Sequence, residues 1–225
     1  APVAPSAIAA KGHVSLVRPM VDFPTPRALE TAEIADIVEA YRTGAENAKA
    51  AGFDGVEIHG ANGYLLDQFL QSSTNKRTDQ YGGSVENRAR LLLEVTDAAI
   101  DIWGAGRVGV HLSPRADLHD MGDENLAETF GYVARELGKR GIAYICAREH
   151  EAANSLGPQL KAAFGGPYIV NERFTKDSAN AWIAAGKADA VAFGVPFIAN
   201  PDLPARLKAD APLNEAHPET FYAKG

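Results

Sequence analysis

Five short apolar runs each follow a segment of helical character: FDGVEIH (53–59), RVGVHLSP (107–114), IAYICA (142–147), PYIVN (167–171) and ADAVAFG (188–194). This alternation constrains the fold more than any other feature. LETAEIADIVEAYRTGAENAKAAG, ending at Gly52, has apolar residues at helical spacing. A second helix is predicted over 84–103, with Ser84 as N-cap and Asn87 and Arg88 in its first turns, and a third over 124–139. Short continuous apolar runs predict strands buried on both faces, as in a parallel sheet covered by helices. Successive βα units predict α/β architecture with right-handed crossovers.

Such strands can build either an open doubly wound sheet or part of an eight-stranded barrel. An open sheet for a nucleotide usually shows G-x-G-x-x-G after its first strand, and this chain has none there. Barrel enzymes gather polar residues where strands end, because the active site occupies that face. Here the strand ends carry His59, then His111 and Ser113, then Arg148, then Asn171 and Arg173, then Gly194. The pattern favours an incomplete barrel, with residues 1–225 as one domain and 1–28 as an extended lead-in.

The chain has 225 residues, 46% hydrophobic and 23% charged, ordinary for a soluble globular domain. A net charge of −7 argues against a nucleic-acid or anionic-membrane surface. No apolar run approaches a membrane span, and the first residues, APVAPSAIAAKGHVSL, do not read as a signal peptide. The absence of Met at position 1 suggests a chain that begins partway through a longer one. The single cysteine, Cys146, excludes an internal disulfide framework and fits a reducing cytoplasm. No histidine–cysteine spacing with carboxylate support suggests a metal site.

The densest chemistry lies in VEIHGANGYLL (56–66). One reading is structural: a satisfied histidine at a strand end, an Asn62-Gly63 turn and a rim tyrosine. The other is catalytic. His59 and Asn62 can both donate to one oxygen and polarise a carbonyl or nitro group, and the Tyr64 phenol can deliver a proton to the adjacent carbon.

HGANGYLLDQFL (59–70), followed by NKRTDQYGGSVENRAR (75–90), resembles the old yellow enzyme family of FMN-dependent ene-reductases. The resemblance continues to DAVAFGVPFIANPDLPARL and PLNEAHPETFY, covers nearly the whole chain, and corresponds to the C-terminal two-thirds of the family pattern. It implies a TIM (β/α)8 barrel of which this chain supplies the last five βα units, the first three strands being absent. Those absent segments would bring a threonine near flavin O4, a glutamine at the pyrimidine edge and part of the substrate wall. It also implies FMN as cofactor, NADPH or NADH as reductant, and small-molecule substrates: enones, nitroalkenes, nitro compounds or nitrate esters. His59 and Asn62 would bind the oxygen of the activating group, and Tyr64 would protonate Cα. An alternative is a non-catalytic fragment or scaffold that needs a partner chain or segment to bind flavin.

The chain departs from the family pattern beside the cofactor. His111 stands where relatives commonly carry an arginine near flavin N1; it would stabilise the reduced ring if protonated, or pack beneath it if neutral. The phosphate loops are expected at Asn171, Glu172 and Arg173, and at Gly194 and Val195. The arginine usual after Gly194 is missing; either Arg173 in the neighbouring loop replaces it, or Arg173 points to solvent and the phosphate rests on backbone amides alone. Arg77, Asp79, Glu86 and Arg88 are read as a scaffold of ion pairs, with Gly82-Gly83 turning the chain. Asp117 and His119 are expected to be solvated, and Asn200-Pro201-Asp202 to cap a helix.

Overall fold

In chain order the elements are β1 (Val3–Ala4), β2 (Arg27–Ala28), α1 (Ile34–Ala50), β3 (Val56–Gly60), α2 (Leu65–Leu70), α3 (Val85–Trp103), β4 (Val108–Leu112), α4 (Leu126–Arg140), β5 (Tyr144–Arg148), α5 (Gly157–Phe164), β6 (Tyr168–Asn171), α6 (Lys176–Ala184), β7 (Ala190–Ala192), α7 (Val195–Ala199) and α8 (Leu203–Ala209). They come from a computed structural model that describes residues 2–14, 17, 19–116 and 118–221; Asp117 lies outside these. In the lead-in, β1 pairs in parallel with β2, and His13 bridges to Asp22.

Strands β3 to β7 form one parallel sheet whose spatial order is the chain order. A doubly wound sheet reverses its strand order at a switch point. This sheet has none, so the open-sheet alternative falls.

The helices cover one face only. Ile58, Val110, Leu112, Ile145, Ala147, Tyr168 and Val170 join Leu91, Leu92, Phe130, Val133 and Leu137 from α3 and α4 in a single core. Burying each large aliphatic or aromatic side chain contributes roughly 1.5–3 kcal/mol. The predicted burial on both faces is corrected. The opposite face carries Glu57 and His59, which are exposed, and His111, Cys146, Arg148, Ile169 and Asn171, which are half-buried. Its alternation is masked in the sequence because Gly109, Tyr144, Cys146 and Ile169 are themselves apolar or small.

Local signals set the helix ends. The Ser84 hydroxyl accepts from the Asn87 N–H at 3.3 Å, as expected of the cap. The third helix starts two residues later than predicted, at Leu126, because the Asn125 side chain accepts from the Glu128 N–H at 3.2 Å. The expected 200–202 cap is also shifted. Asn200 is fully buried and holds Asn214 through its side chain, while Asp202 is the residue that precedes α8.

The 75–90 loop is pinned largely as expected, with one change of partner. Arg77 pairs with Asp79 at 2.5 Å and donates to the Leu29 carbonyl at 2.5 Å. A Cβ on Gly82 would meet the Arg77 carbonyl oxygen at 2.2 Å, so only glycine fits that crossing. Arg88 does not join this group. It donates to Leu70 O at 2.9 Å, Gly83 O at 2.6 Å, Thr129 Oγ1 at 2.9 Å and Asp123 Oδ2 at 3.1 Å. The Asp123 side chain is fully buried. Asp123 also accepts from the Ser72 and Asn125 N–H groups and the Thr129 hydroxyl. Replacing Arg88 by methionine leaves this buried carboxylate hydrogen-bonded but without its cation, and is expected to lower stability by about 3 kcal/mol, read from urea denaturation of the two proteins; a change below about 1 kcal/mol would contradict this.

Candidate active site

Paired residues of adjacent parallel strands present their side chains to the same face. The register aligns His59 with His111, His111 with Cys146 and Cys146 with Ile169, and, at the strand ends, Arg148 with Asn171 and Asn171 with Ala192. The polar residues singled out at the strand ends thus share the face that the helices leave uncovered. His59 Nδ1 lies 3.3 Å from His111 Nδ1, and the His59 ring centroid is 5.5 Å from that of Tyr64. Tyr64 is 56% exposed and precedes α2 as its N-cap residue.

Asn62 sits between them on a left-handed backbone (φ 60), followed by Gly63 at φ 75. A Cβ on Gly63 would meet His119 Cβ at 2.9 Å, so the turn needs glycine for space as well as conformation. Beneath the turn lies a buried carboxylate. Asp67, fully buried, accepts from the Gly63 N–H at 2.9 Å, the Gln71 amide at 2.7 Å and the Ser113 hydroxyl at 3.2 Å. Ser113 in turn accepts the Asn62 N–H at 2.7 Å. Burial raises the Asp67 carboxyl to about 6, with the three hydrogen bonds acting in opposition.

The two histidines differ. Burial, then His59, then the Arg148 guanidinium push His111 down to about 4, so its imidazole is neutral at pH 7. The nearby cation is Arg148, which donates to Asn62 Oδ1 at 2.9 Å and to Glu172 Oε1 at 3.0 Å. His119 is not solvated as expected. It is half-buried, its Nδ1 donates to the Asn62 carbonyl at 2.9 Å, and its ring meets Tyr64 edge-on at 5.7 Å.

The expected phosphate loops follow the adjacent strands β6 and β7. Asn171 ties them together by donating to Ala192 O at 2.7 Å. Glu172 (φ 93) and Arg173 (φ 60) both keep a left-handed backbone, a conformation that favours glycine. The Arg173 side chain is 76% exposed, and among the described residues its ion-pair partner is Glu172, at 4.0 Å. A Cβ on Gly194 would meet nothing within 4 Å, and Val195 is 50% exposed. A largely exposed, loosely paired guanidinium and an open turn on the adjacent strand end suit an anionic group, so these residues fit a bound phosphate.

Asp67, Ser113, His119 and Arg148 complete the site without having been assigned roles from the sequence. Ser113 and Arg148 stood out only as polar residues at strand ends, and Asp67 left its own signal as an acidic residue inside the apolar run LLDQFL.

Known proteins resemble this chain in sequence and in fold. The sequence profile of the NADH:flavin oxidoreductase / NADH oxidase family matches residues 1–214. The chain is 44% identical over 231 residues to a probable flavin mononucleotide-dependent alkene reductase of Leishmania infantum, covering 99% of this chain and 63% of that protein. It is 45% identical over 209 residues to 12-oxophytodienoate reductase 2 of Arabidopsis thaliana, covering 89% of this chain and 56% of that one. The old yellow enzyme homologue from Zymomonas mobilis superposes with a TM-score of 0.96 at 39% identity, covering 100% of this chain and 65% of that one. Morphinone reductase in complex with tetrahydroNAD superposes with a TM-score of 0.94 at 46% identity, covering 100% and 64%. The chain belongs to the NADH:flavin oxidoreductase / NADH oxidase family, the old yellow enzyme family of the resemblance. It spans about three-fifths of the length of these relatives.

The raised Asp67 carboxyl gives a signed test. Its stabilising contribution is complete below the ordinary value of 3.8 and is lost as pH rises through about 6. Between pH 4 and 7 the stability of the parent relative to Asp67→Asn is expected to fall by up to about 3 kcal/mol, measured by urea denaturation at both pH values. A difference that stays constant across this window would show that Asp67 titrates normally.

Proposed function

We propose that this chain is the larger part of an FMN-dependent oxidoreductase that reduces activated alkenes (enones, nitroalkenes), nitro compounds or nitrate esters with NADH or NADPH. The observation that carries the reading is the Tyr64 ring 5.5 Å from that of His59 at the end of β3, with Asn62 in the turn between them in the chain. The names of the relatives, an alkene reductase and a 12-oxophytodienoate reductase, support it, as does a morphinone reductase solved with tetrahydroNAD.

When bound, FMN would supply the hydride equivalent drawn from NADH or NADPH. The chain's own residues do the rest. If His111 donates its Nδ1–H to His59 Nδ1, His59 carries its proton on Nε2, the tautomer that donates outward. His59 Nε2–H and the Asn62 Nδ2–H then both point at the oxygen of the activating group. Each such donor is worth about 10²–10³ in rate where negative charge develops on oxygen. The Tyr64 phenol gives its proton to Cα and, being exposed, regains one from solvent. Arg173 and the loops at Asn171, Glu172, Gly194 and Val195 would hold the FMN phosphate, with His111 toward the ring.

In this reading the five strands are the last five of a TIM (β/α)8 barrel. The free edges of β3 and β7 would be closed by strands from the part of the relatives that this chain does not span. The same free edges favour one further reading, in which the chain alone is a non-catalytic fragment that takes up flavin only with a partner chain. A flavin absorbance band that stays with the purified chain on gel filtration supports the first reading; its absence, restored by the missing segment, supports the second.

Tyr64→Phe is expected to leave flavin reduction by nicotinamide unchanged and to slow enone reduction by about 10²–10⁴-fold, read by stopped-flow of the two half-reactions. An unaltered oxidative half-reaction with an enone would remove Tyr64 from proton transfer. Arg173→Ala is expected to weaken FMN binding by about ten- to a hundredfold in a titration of the apoprotein. Parental affinity in that variant would place the phosphate on backbone amides alone.

A further inference from the structure

A carboxamide is a clamp for oxygen only in one of its two orientations. With Nδ2 toward the substrate, Asn62 donates; turned over, it presents Oδ1 and repels the same oxygen. What decides between them must touch the side chain itself, and the Asn62 backbone contacts to Ser113 and His119 do not.

Among the described residues, the side-chain hydrogen bond of Asn62 comes from Arg148, whose Nη1 lies 2.9 Å from Oδ1. Arginine has five donors and no acceptor, so the reversed amide would set N–H against N–H. Arg148 is itself fixed. It ends β5, its Nη2 donates to Glu172 Oε1 at 3.0 Å, and the side chains of the pair are 25% and 18% exposed. A charge-assisted bond in such a setting is stronger than a neutral one, and it draws electron density from the amide so that Nδ2–H becomes the better donor.

We infer that Arg148, held by Glu172, is the positioning residue that locks the Asn62 carboxamide with Nδ2 toward the substrate oxygen. The inference rests on the clamp proposed above. It also joins the two halves of the site, since Glu172 belongs to the expected cofactor loop and Asn62 to the substrate side. Glu172 keeps a left-handed backbone in this arrangement (φ 93).

The test is a double-mutant cycle in the flavin-loaded protein, titrated with 4-chlorophenol and read by the long-wavelength band of a phenolate over oxidised flavin. Asn62→Ala and Arg148→Met should each weaken binding about tenfold, and adding Arg148→Met to Asn62→Ala should change it by less than about twofold. Arg148→Lys, which keeps a donor near Oδ1, should recover part of the loss. Parental binding in Arg148→Met, or losses that multiply in the double variant, would overturn the positioning role. Parental binding in Asn62→Ala would instead sink the clamp itself, so the two failures are distinguishable. A second measurement needs no flavin. In the apoprotein the two Nδ2 protons of Asn62 should give separate, shifted resonances in the parent and move to ordinary asparagine positions in Arg148→Met. Identical Asn62 resonances in the two proteins would also overturn the inference.

Discussion

The arrangement of this site depends on strand register. In a parallel sheet, residues paired across strands point the same way, and a slip of one residue sends every side chain to the opposite face. The pairing of His59 with His111, carried on to Cys146 and Ile169, puts one row of side chains on the uncovered face, and Arg148 and Asn171 form the next. The register is held from the other side, where Ile58, Val110, Leu112, Ile145, Ala147 and Val170 must all face the helices to be buried. Moving one strand by one residue would bury His111 or Arg148 in that core, where an uncompensated charge or ring nitrogen is far more costly than the lost pairing. The hydrophobic core thus specifies the geometry of a site whose residues it does not contain.

Electrostatics on the uncovered face are divided between neighbours. His111 is too desolvated, and too close to His59 and Arg148, to hold a proton near neutrality. The permanent charge belongs to Arg148, compensated by Glu172. Neither the His111 imidazole nor the paired Arg148 guanidinium changes charge over the neutral range. The deeply buried Asp67 does, and it bears on the Asn62–Gly63 turn through hydrogen bonds rather than through charge at the mouth.

Much of this was legible in the chain, and the remainder has identifiable reasons for being hidden. The strands, the Ser84 cap and the grouping of His59, Asn62 and Tyr64 are local, written in spacing and in residue type. The bare face was hidden because Tyr144, Cys146 and Ile169 look like core residues; they fill the space beside Gly109 and its neighbours, where a Cβ on Gly109 would meet the Tyr144 ring at 2.4 Å. Partners far apart in the chain were hidden for a different reason. Arg88 finds Asp123 35 residues away, and Arg148 finds Asn62 86 residues away, distances over which spacing carries no information. His119 reads as a loop residue until the Gly63 turn is seen to pack against it.

The lone Cys146 lies in the middle of the row that begins at His59. Burial, with the Glu57 carboxylate as a second cause, pushes its thiol up to about 12, so almost none is thiolate at physiological pH. Only the thiolate reacts readily with alkylating reagents. The residue is therefore slow to alkylate although its face is not covered by helices, and a faster labelling rate would report moments when β5 opens and the thiol becomes better solvated. A single native sulfur thus offers a way to time the breathing of the sheet without any engineered probe.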